Sequence, residues 1–412
     1  MIVSPVAFAK HLLRPLVMSW RSRRSTRAMF ERKKTVRRWL ETSWLGDDSF
    51  LDAWRALGRC DYHRALELVA LAEKKSGPQP WARYIDGAVD SLVLPALRRN
   101  FGEGRHLLIK EWSCGFWADV DHLLGQFLIA EWTKRIPVVY WGTSSLYHPG
   151  NLDNCFPLFF RPSSSVTIDD LVRPGLSYFP LEFNATNLRL HREDQFSRPG
   201  ATDKGFSVLH REETVLVSDR HVGLEFLWSY WVSRSIQPVD SFETTARRLF
   251  TQYLVPSPTV SQRVDAFWKT LSTAGPCFAV HVRGGDRTES LDKLDENNRL
   301  YFQAVDPFLE ADSQALIFLL TDSTYILEKF VERYGLRVRF TTAQRSSNKE
   351  GIHYAAHTSK AELGFETLVD VLVALRCDRF LGCTSNVSKF VHLLKDWGGA
   401  GRLLANVPSI IL

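Results

Sequence analysis

The rhythm of apolar and polar positions changes along this chain, and the changes outline its organisation. From residue 276 onward, short apolar runs alternate with amphipathic stretches. PCFAVHV (276–282), ALIFLLT (315–321), LRVRF (336–340) and RFLGC (379–383) are rich in β-branched and aromatic side chains and read as buried strands. Residues 299–310 and 323–334 have the 3.6-residue period of helices, the second stopped at Gly335. After a polar loop over 343–357, another helix opens at Ser359 with Glu362 in capping-box spacing. A last helix runs from about 385 to 396. Strands alternating with helices predict a parallel, doubly wound sheet.

A second unit precedes it. A strand at His106–Ile109, a loop EWSCGFWADVD, a helix HLLGQFLIAEW and a strand at Val138–Trp141 make a β-α-β pattern. Residues 150–215 are rich in Pro, Asn, Asp and Ser and read as long loops, 219–253 return to helical periodicity, and PSP at 256–258 marks a linker. Residues 50–75 read as two short helices turning at Gly58, with Trp54, Leu57, Gly58 and Ala65 faintly echoing a tetratricopeptide unit. One copy cannot form a solenoid, so a helical hairpin packed on the main body is expected. The expected division is therefore a basic, mostly helical extension (1–100), an N-terminal α/β domain (101–255) and a C-terminal α/β domain (256–412).

At 412 residues, with 45% apolar and 24% charged side chains, the chain suits two globular domains and an extension. Its 13 Trp and 26 Phe fit either a large aromatic core or stacking on ring-shaped ligands. Charge changes the picture at one end only. Residues 1–40 hold eleven Lys/Arg against the single acid Glu31, leaving about −4 on the remainder of a chain whose net charge is +6. The first twenty residues are broken by Lys10, Arg14, Pro5 and Pro15 and offer no bilayer-spanning run. This arm is either a solvated basic tail or a segment lying on an anionic membrane surface. Nucleic acid is not an expected partner, because the rest of the chain is acidic and carries no recognisable module. The six cysteines form no CxxC pair, and several lie in apolar runs, as reduced thiols of a cytoplasmic protein would.

In parallel sheets ligands bind beyond the carboxyl ends of the strands. The residues just past the C-terminal strands are chemically rich here: His281 to Arg287 (HVRGGDR), Thr321-Asp322 and Thr384-Ser385-Asn386. Arg283 offers a guanidinium fork that matches phosphate oxygens, and the glycines after it let backbone approach a diphosphate. A surface ion pair would also explain it. His281, on an apolar strand, is either a ligand contact or a satisfied core histidine. Asp370 is the only charge in LVDVLVAL (368–375) and needs a partner if buried. That partner is either the two N–H donors of a guanine edge or a structural arginine, Arg376 or Arg379. Ser385 and Asn386 either hold phosphate at a helix N-terminus or simply cap it. Asp119-Val120-Asp121 has D-x-D metal spacing, but acidic residues entering a helix explain it. P-loop, GxGxxG and GxSxG motifs are missing.

At these residues the chain resembles a known group. HVRGGDR (281–287), FLLTD (318–322) and the block 351–386 are similar to the three shared motifs of the α1,6-/α1,2-/protein O-fucosyltransferase superfamily, nearest its α1,6 branch. The resemblance covers roughly 275–395, is weaker over 106–142, and is missing over 1–100. It implies a GT-B-like α/β fold, two Rossmann-like domains facing a cleft, and inverting, metal-independent transfer of L-fucose from GDP-β-L-fucose to an oligosaccharide or glycolipid. No cofactor is implied beyond that donor, and the setting would be cytoplasmic or peripheral on the inner face of a membrane. His281 and Asp370 would bind guanine, Arg283 the β-phosphate, and Ser385 and Asn386 the rest of the phosphate site, with Asp322 as the second motif's aspartate. Gly284 stands where that branch has a second arginine and Arg287 where it has a lysine. Glu289 is the nearest candidate for the general base. Trp117 and Trp141, at the ends of N-terminal strands, would stack on an acceptor sugar or pack in the core. A transferase for another GDP-sugar, or a non-catalytic nucleotide- or glycan-binding protein, are the alternatives.

Overall fold

The computed structural model describes residues 48–58, 62–79, 81–97, 104–190, 211–218, 221, 223–233, 240–271, 275–284, 291–346 and 359–404. The basic arm at 1–40 lies outside them. Three amphipathic helices come first, α1 (Asp48–Gly58), α2 (Tyr62–Ser76) and α3 (Ala82–Leu97). The hairpin expected over 50–75 is α1 and α2, and α3 adds a third helix that the sequence pattern did not reveal. It joins the main body through Asp90, which accepts a hydrogen bond from Tyr230 at 2.8 Å.

The first sheet holds β1 (His106–Lys110), β2 (Ile136–Tyr140), β3 (Tyr178–Phe179) and β4 (Val215–Ser218), in the order β2-β1-β4-β3 and wholly parallel. Its helix α4 (Phe116–Thr133) starts six residues earlier than expected, so FWADVD belongs to the helix and not to a loop. The reason is its burial: α4 is apolar on nearly every face because it lies inside the molecule rather than upon it. Short α5 (Phe156–Phe159), α6 (Leu224–Ser233) and α7 (Phe242–Tyr253) complete this part. The chain then passes through Pro256, bridged to Phe160, and Ser257, which donates to the Leu158 carbonyl at 2.7 Å. Pro258 begins a further helix, α8 (Pro258–Leu271), a first-turn position where its missing N–H costs nothing.

The second sheet contains β5 (Cys277–Val282), β6 (Leu316–Thr321), β7 (Val338–Arg339), β8 (Arg379–Cys383) and β9 (Gly401–Leu404). They are all parallel, in the order β7-β6-β5-β8-β9. Helices α9 (Leu291–Ala311), α10 (Thr324–Tyr334), α11 (Lys360–Ala374) and α12 (Asn386–Leu394) connect and cover it. Strand β9 escaped the sequence pattern because its four residues, GRLL, are too few to show a period. The capping box at Ser359 does not form: Ser359 makes no side-chain cap bond, and Glu362 instead forms a bidentate pair with Arg263 of α8. A charge-assisted fork outcompetes a local backbone bond. Among the described residues no helix is long and apolar enough to cross a membrane.

One apolar core runs from α1–α3 through α4 to α11 and α12. Trp117 of α4 meets Phe390 of α12 at 5.0 Å between ring centroids, and Phe159 of α5 meets Phe365 of α11 at 5.1 Å. Aromatic packing between their helices therefore joins the two sheets.

Candidate active site

The chain winds from β5 to β6 and β7 on one side, then crosses to β8 and β9 on the other. Strand β5 is thus the switch point, where helices leave in opposite directions and a crevice opens at the carboxyl edge. Side chains alternate along it. Phe278, Val280 and Val282 join the core under α9 and α10, while Cys277 and Ala279 face α11 and α12, as does His281. His281 is 4% exposed, and its Nδ1 lies 2.6 Å from Ser388 Oγ and 3.3 Å from Ser385 Oγ, both on α12 or its cap.

Arg283, the first residue past β5, pairs through its Nη1 with Asp322 Oδ2 at 2.8 Å. The next backbone N–H, of Gly284, donates to Asp322 Oδ1 at 2.9 Å. Asp322 comes directly after β6, so one carboxylate fixes both the guanidinium and the backbone beyond it. The ion pair orients the guanidinium, whose planar fork is the shape that matches phosphate oxygens. Gly284 also answers for the departure from the two-arginine pattern. A Cβ there would lie 2.1 Å from Ile326 Cδ1 and 2.9 Å from Ser323 Cβ, at the start of α10. A side chain at that position would have to displace Ile326 and Ser323.

Asp370 projects from α11, and its Oδ1 accepts the Thr341 hydroxyl at 2.6 Å. The structural arginines weighed as its partners are elsewhere: Arg376 binds Asp265 at 2.6 Å, and Arg379 lies over the Phe308 ring. Burial pushes the Asp370 pKa up to about 6, against the Thr341 hydrogen bond and the positive charge of Arg345. His281 also acts on this carboxyl, which places both in one electrostatic environment. Arg345 is held by the Thr341 and Ala343 carbonyls in the loop after β7. Ser385 caps α12, accepting the Ser388 N–H at 3.1 Å, and Asn386 opens the helix as an exposed residue. The expected base, Glu289, lies outside the described residues, with Asp286 and Arg287.

The carboxyl edge of the first sheet faces this group. Tyr147, in the loop after β2, accepts the Phe116 N–H at 2.6 Å. Burial raises its pKa, and the charge of Arg283 acts on it in the opposite direction. Thr143 in the same loop is exposed. Trp117 and Trp141 are not available for stacking on a sugar: they are 2% and 0% exposed and packed among Phe116, Phe156, Phe159, Phe250 and Phe390. Strand-end position alone did not reveal that Trp117 belongs to the buried helix α4 or that Trp141 turns inward. The D-x-D carboxylates take different partners. Asp119 accepts the Trp112 and Ser113 N–H groups at 2.6 and 3.0 Å, and burial raises its pKa to about 7. Asp121 meets Lys389 of α12 at 3.4 Å.

The structure thus brings His281, Arg283, Asp322, Asp370, Ser385 and Asn386 to one edge. It adds Thr341, Arg345 and Ser388, which the sequence pattern did not single out. Only Ser388 left a trace there, three residues after Ser385 and so on the same helix face.

No family model matches the chain, and no curated protein matches it. Solved structures do. A fucosyltransferase NodZ from Bradyrhizobium is similar over 70% of this chain and 93% of its own, at 17% identity and a TM-score of 0.46. Arabidopsis thaliana FUT1, a point mutant in complex with GDP, covers 83% of this chain and 78% of its own at 14% identity and a TM-score of 0.48. POFUT1 in complex with GDP covers 73% and 98% at 14% identity and a TM-score of 0.45.

Proposed function

We propose that this protein is a glycosyltransferase that moves L-fucose from GDP-β-L-fucose to a glycan or glycolipid acceptor, with inversion, in an α1,6 linkage and without a metal. The observation that carries the reading is Arg283, held by Asp322 at the end of the central strand, with His281 two residues before it on that strand and interacting electrostatically with Asp370 of α11. A cation fixed at that edge suits a diphosphate, and an anion a short distance away suits a base with paired N–H donors. The motif resemblance supports the same assignment residue by residue.

The acceptor hydroxyl would enter between the sheets, from the side of Tyr147 and Thr143, and attack the sugar C1 opposite the nucleotide. As the glycosidic bond breaks, negative charge grows on the β-phosphate. Arg283 and the N-terminal amides of α12 would stabilise it, preorganised donors being strongest where water is excluded. A carboxylate takes the acceptor proton, with Glu289 the candidate.

The test is calorimetric titration with GDP, GDP-fucose, GDP-mannose and UDP in EDTA. Binding of GDP and GDP-fucose without UDP is expected. Equal affinity for GDP-mannose would point to another GDP-sugar, and no binding of any guanine nucleotide would defeat the transferase reading.

A further inference from the structure

A neutral histidine donates from one ring nitrogen and accepts at the other, and its neighbours decide which. We infer that Ser388 makes that decision for His281: its hydroxyl proton goes to Nδ1, so the ring presents Nε2–H to the bound ligand. Ser388 is a positioning residue, acting through the histidine. The ligand's identity rests on the function proposed above, while the tautomer is a property of the free protein.

The geometry is over-determined. Ser388 is fully buried, and its Oγ accepts the Cys383 backbone N–H at 3.0 Å. Its own proton has two acceptors in reach, His281 Nδ1 at 2.6 Å and Cys383 Sγ at 3.9 Å. Sulfur is a weak acceptor, so the short O–H···N bond prevails. Ser385 Oγ, which takes the Ser388 N–H, stands 3.3 Å from the same nitrogen and brings a second hydroxyl to it. The close approach depends on Gly382, where a Cβ would sit 2.4 Å from Ser388 Oγ and push α12 away from β8. In the competing arrangement Nδ1–H donates to Ser388 and the serine proton turns to the long sulfur contact. A third pairs an imidazolium with a Cys383 thiolate. Burial opposes that ionisation, but His281 helps bring the thiol down to about 7.

An Nε2–H donor beside the Asp370 acceptor reads a base by opposite signs. Guanine carries donors on the edge an aspartate would take and the acceptors O6 and N7 on the next. Adenine presents an amino group where guanine has O6, and Nε2–H would meet a donor.

The ring nitrogens can be observed directly in ligand-free protein labelled with 15N-histidine at pH 8, His281 being assigned by loss of its signals in His281→Gln. The expected result is an unprotonated Nδ1 and a protonated Nε2, changing to a mixture of tautomers in Ser388→Ala. A wild-type Nδ1–H tautomer, or an imidazolium, overturns the inference even if Ser388→Ala does not fold. GDP titration adds a functional arm, because glutamine offers an N–H in place of Nε2–H and has no tautomer to fix. Ser388→Ala should weaken GDP about tenfold in the wild-type background, the scale of one hydrogen bond, and little in His281→Gln. Equal losses in both backgrounds would show a merely structural serine and overturn the assignment. Failure of GDP to bind would defeat the proposed function and leave the tautomer, read without nucleotide, standing.

Discussion

Arg283 and Asp370 would meet a nucleotide through opposite charges, and each is held by a neighbour that no local pattern pairs with it. Arg283 is oriented by Asp322 from the adjacent strand. Replacing it with Ala should lower turnover by about two to three orders of magnitude, the scale found for preorganised transition-state donors. Lys should restore little of it, because the fork is lost although the charge remains. Steady-state rates at saturating donor check both, and activity within a few-fold of wild type would refute the role. Asp370 gives a pH dependence with a definite sign. Its pKa is raised to about 6, so the carboxylate is ionised at neutral pH and gains a proton as pH falls. A protonated carboxyl cannot accept two N–H bonds, so GDP affinity should be flat above pH 7 and fall below 6, approaching tenfold per unit. Asp370→Asn should bind weakly and lose that slope. A wild-type profile flat from pH 7.5 to 5 would exclude Asp370 from the base site.

At the scale of elements, the site depends on how closely helices approach strand ends. Gly284 lets the turn after β5 touch the first turn of α10, with Ile326 Cδ1 filling the space a side chain would need. Gly284→Ala should cost about 1–3 kcal/mol, as overpacking does, and displace Arg283 from Asp322. Ile326→Val removes the nearer clashing methyl but leaves Ser323 Cβ at 2.9 Å, so the double variant should recover part of the loss in chemical denaturation. Simple additivity would place the strain elsewhere. Helix α11 shows the same dependence from the other side. Its capping signal was legible, yet Glu362 is drawn to Arg263 of α8, and a propensity worth about 1 kcal/mol gives way to a tertiary pair.

Across the whole molecule, the two sheets share one core, and α4 is its axis. Trp117 touches Phe250 of α7 and Phe390 of α12, so it joins the first sheet's helices to the helix that caps the proposed phosphate site. Trp117→Ala should destabilise the protein by about 3–5 kcal/mol, the cost of emptying a large buried site. A loss of acceptor affinity with unchanged melting temperature would restore the sugar-stacking role. The polar link between the same helices, Lys389 to Asp121 at 3.4 Å, is partly exposed and should matter far less.

The amino-acid sequence by itself determined the kind and order of the C-terminal elements, because strand and helix periodicities are local and strong there. It also determined that Arg283, Asp322, His281, Ser385 and Asn386 share an edge, since parallel strands bring their carboxyl ends together whatever the details of packing. It was less informative over 150–218, where two- and four-residue strands carry too few positions to show a period. Only the tertiary structure decided which partners those residues have. Ser388 reaches His281 across 107 positions and Thr341 reaches Asp370 across 29, while Trp117 and Trp141 turn into the core. Such contacts depend on which face of one element meets which neighbour, and that is set by the packing of the whole core rather than by any run of residues.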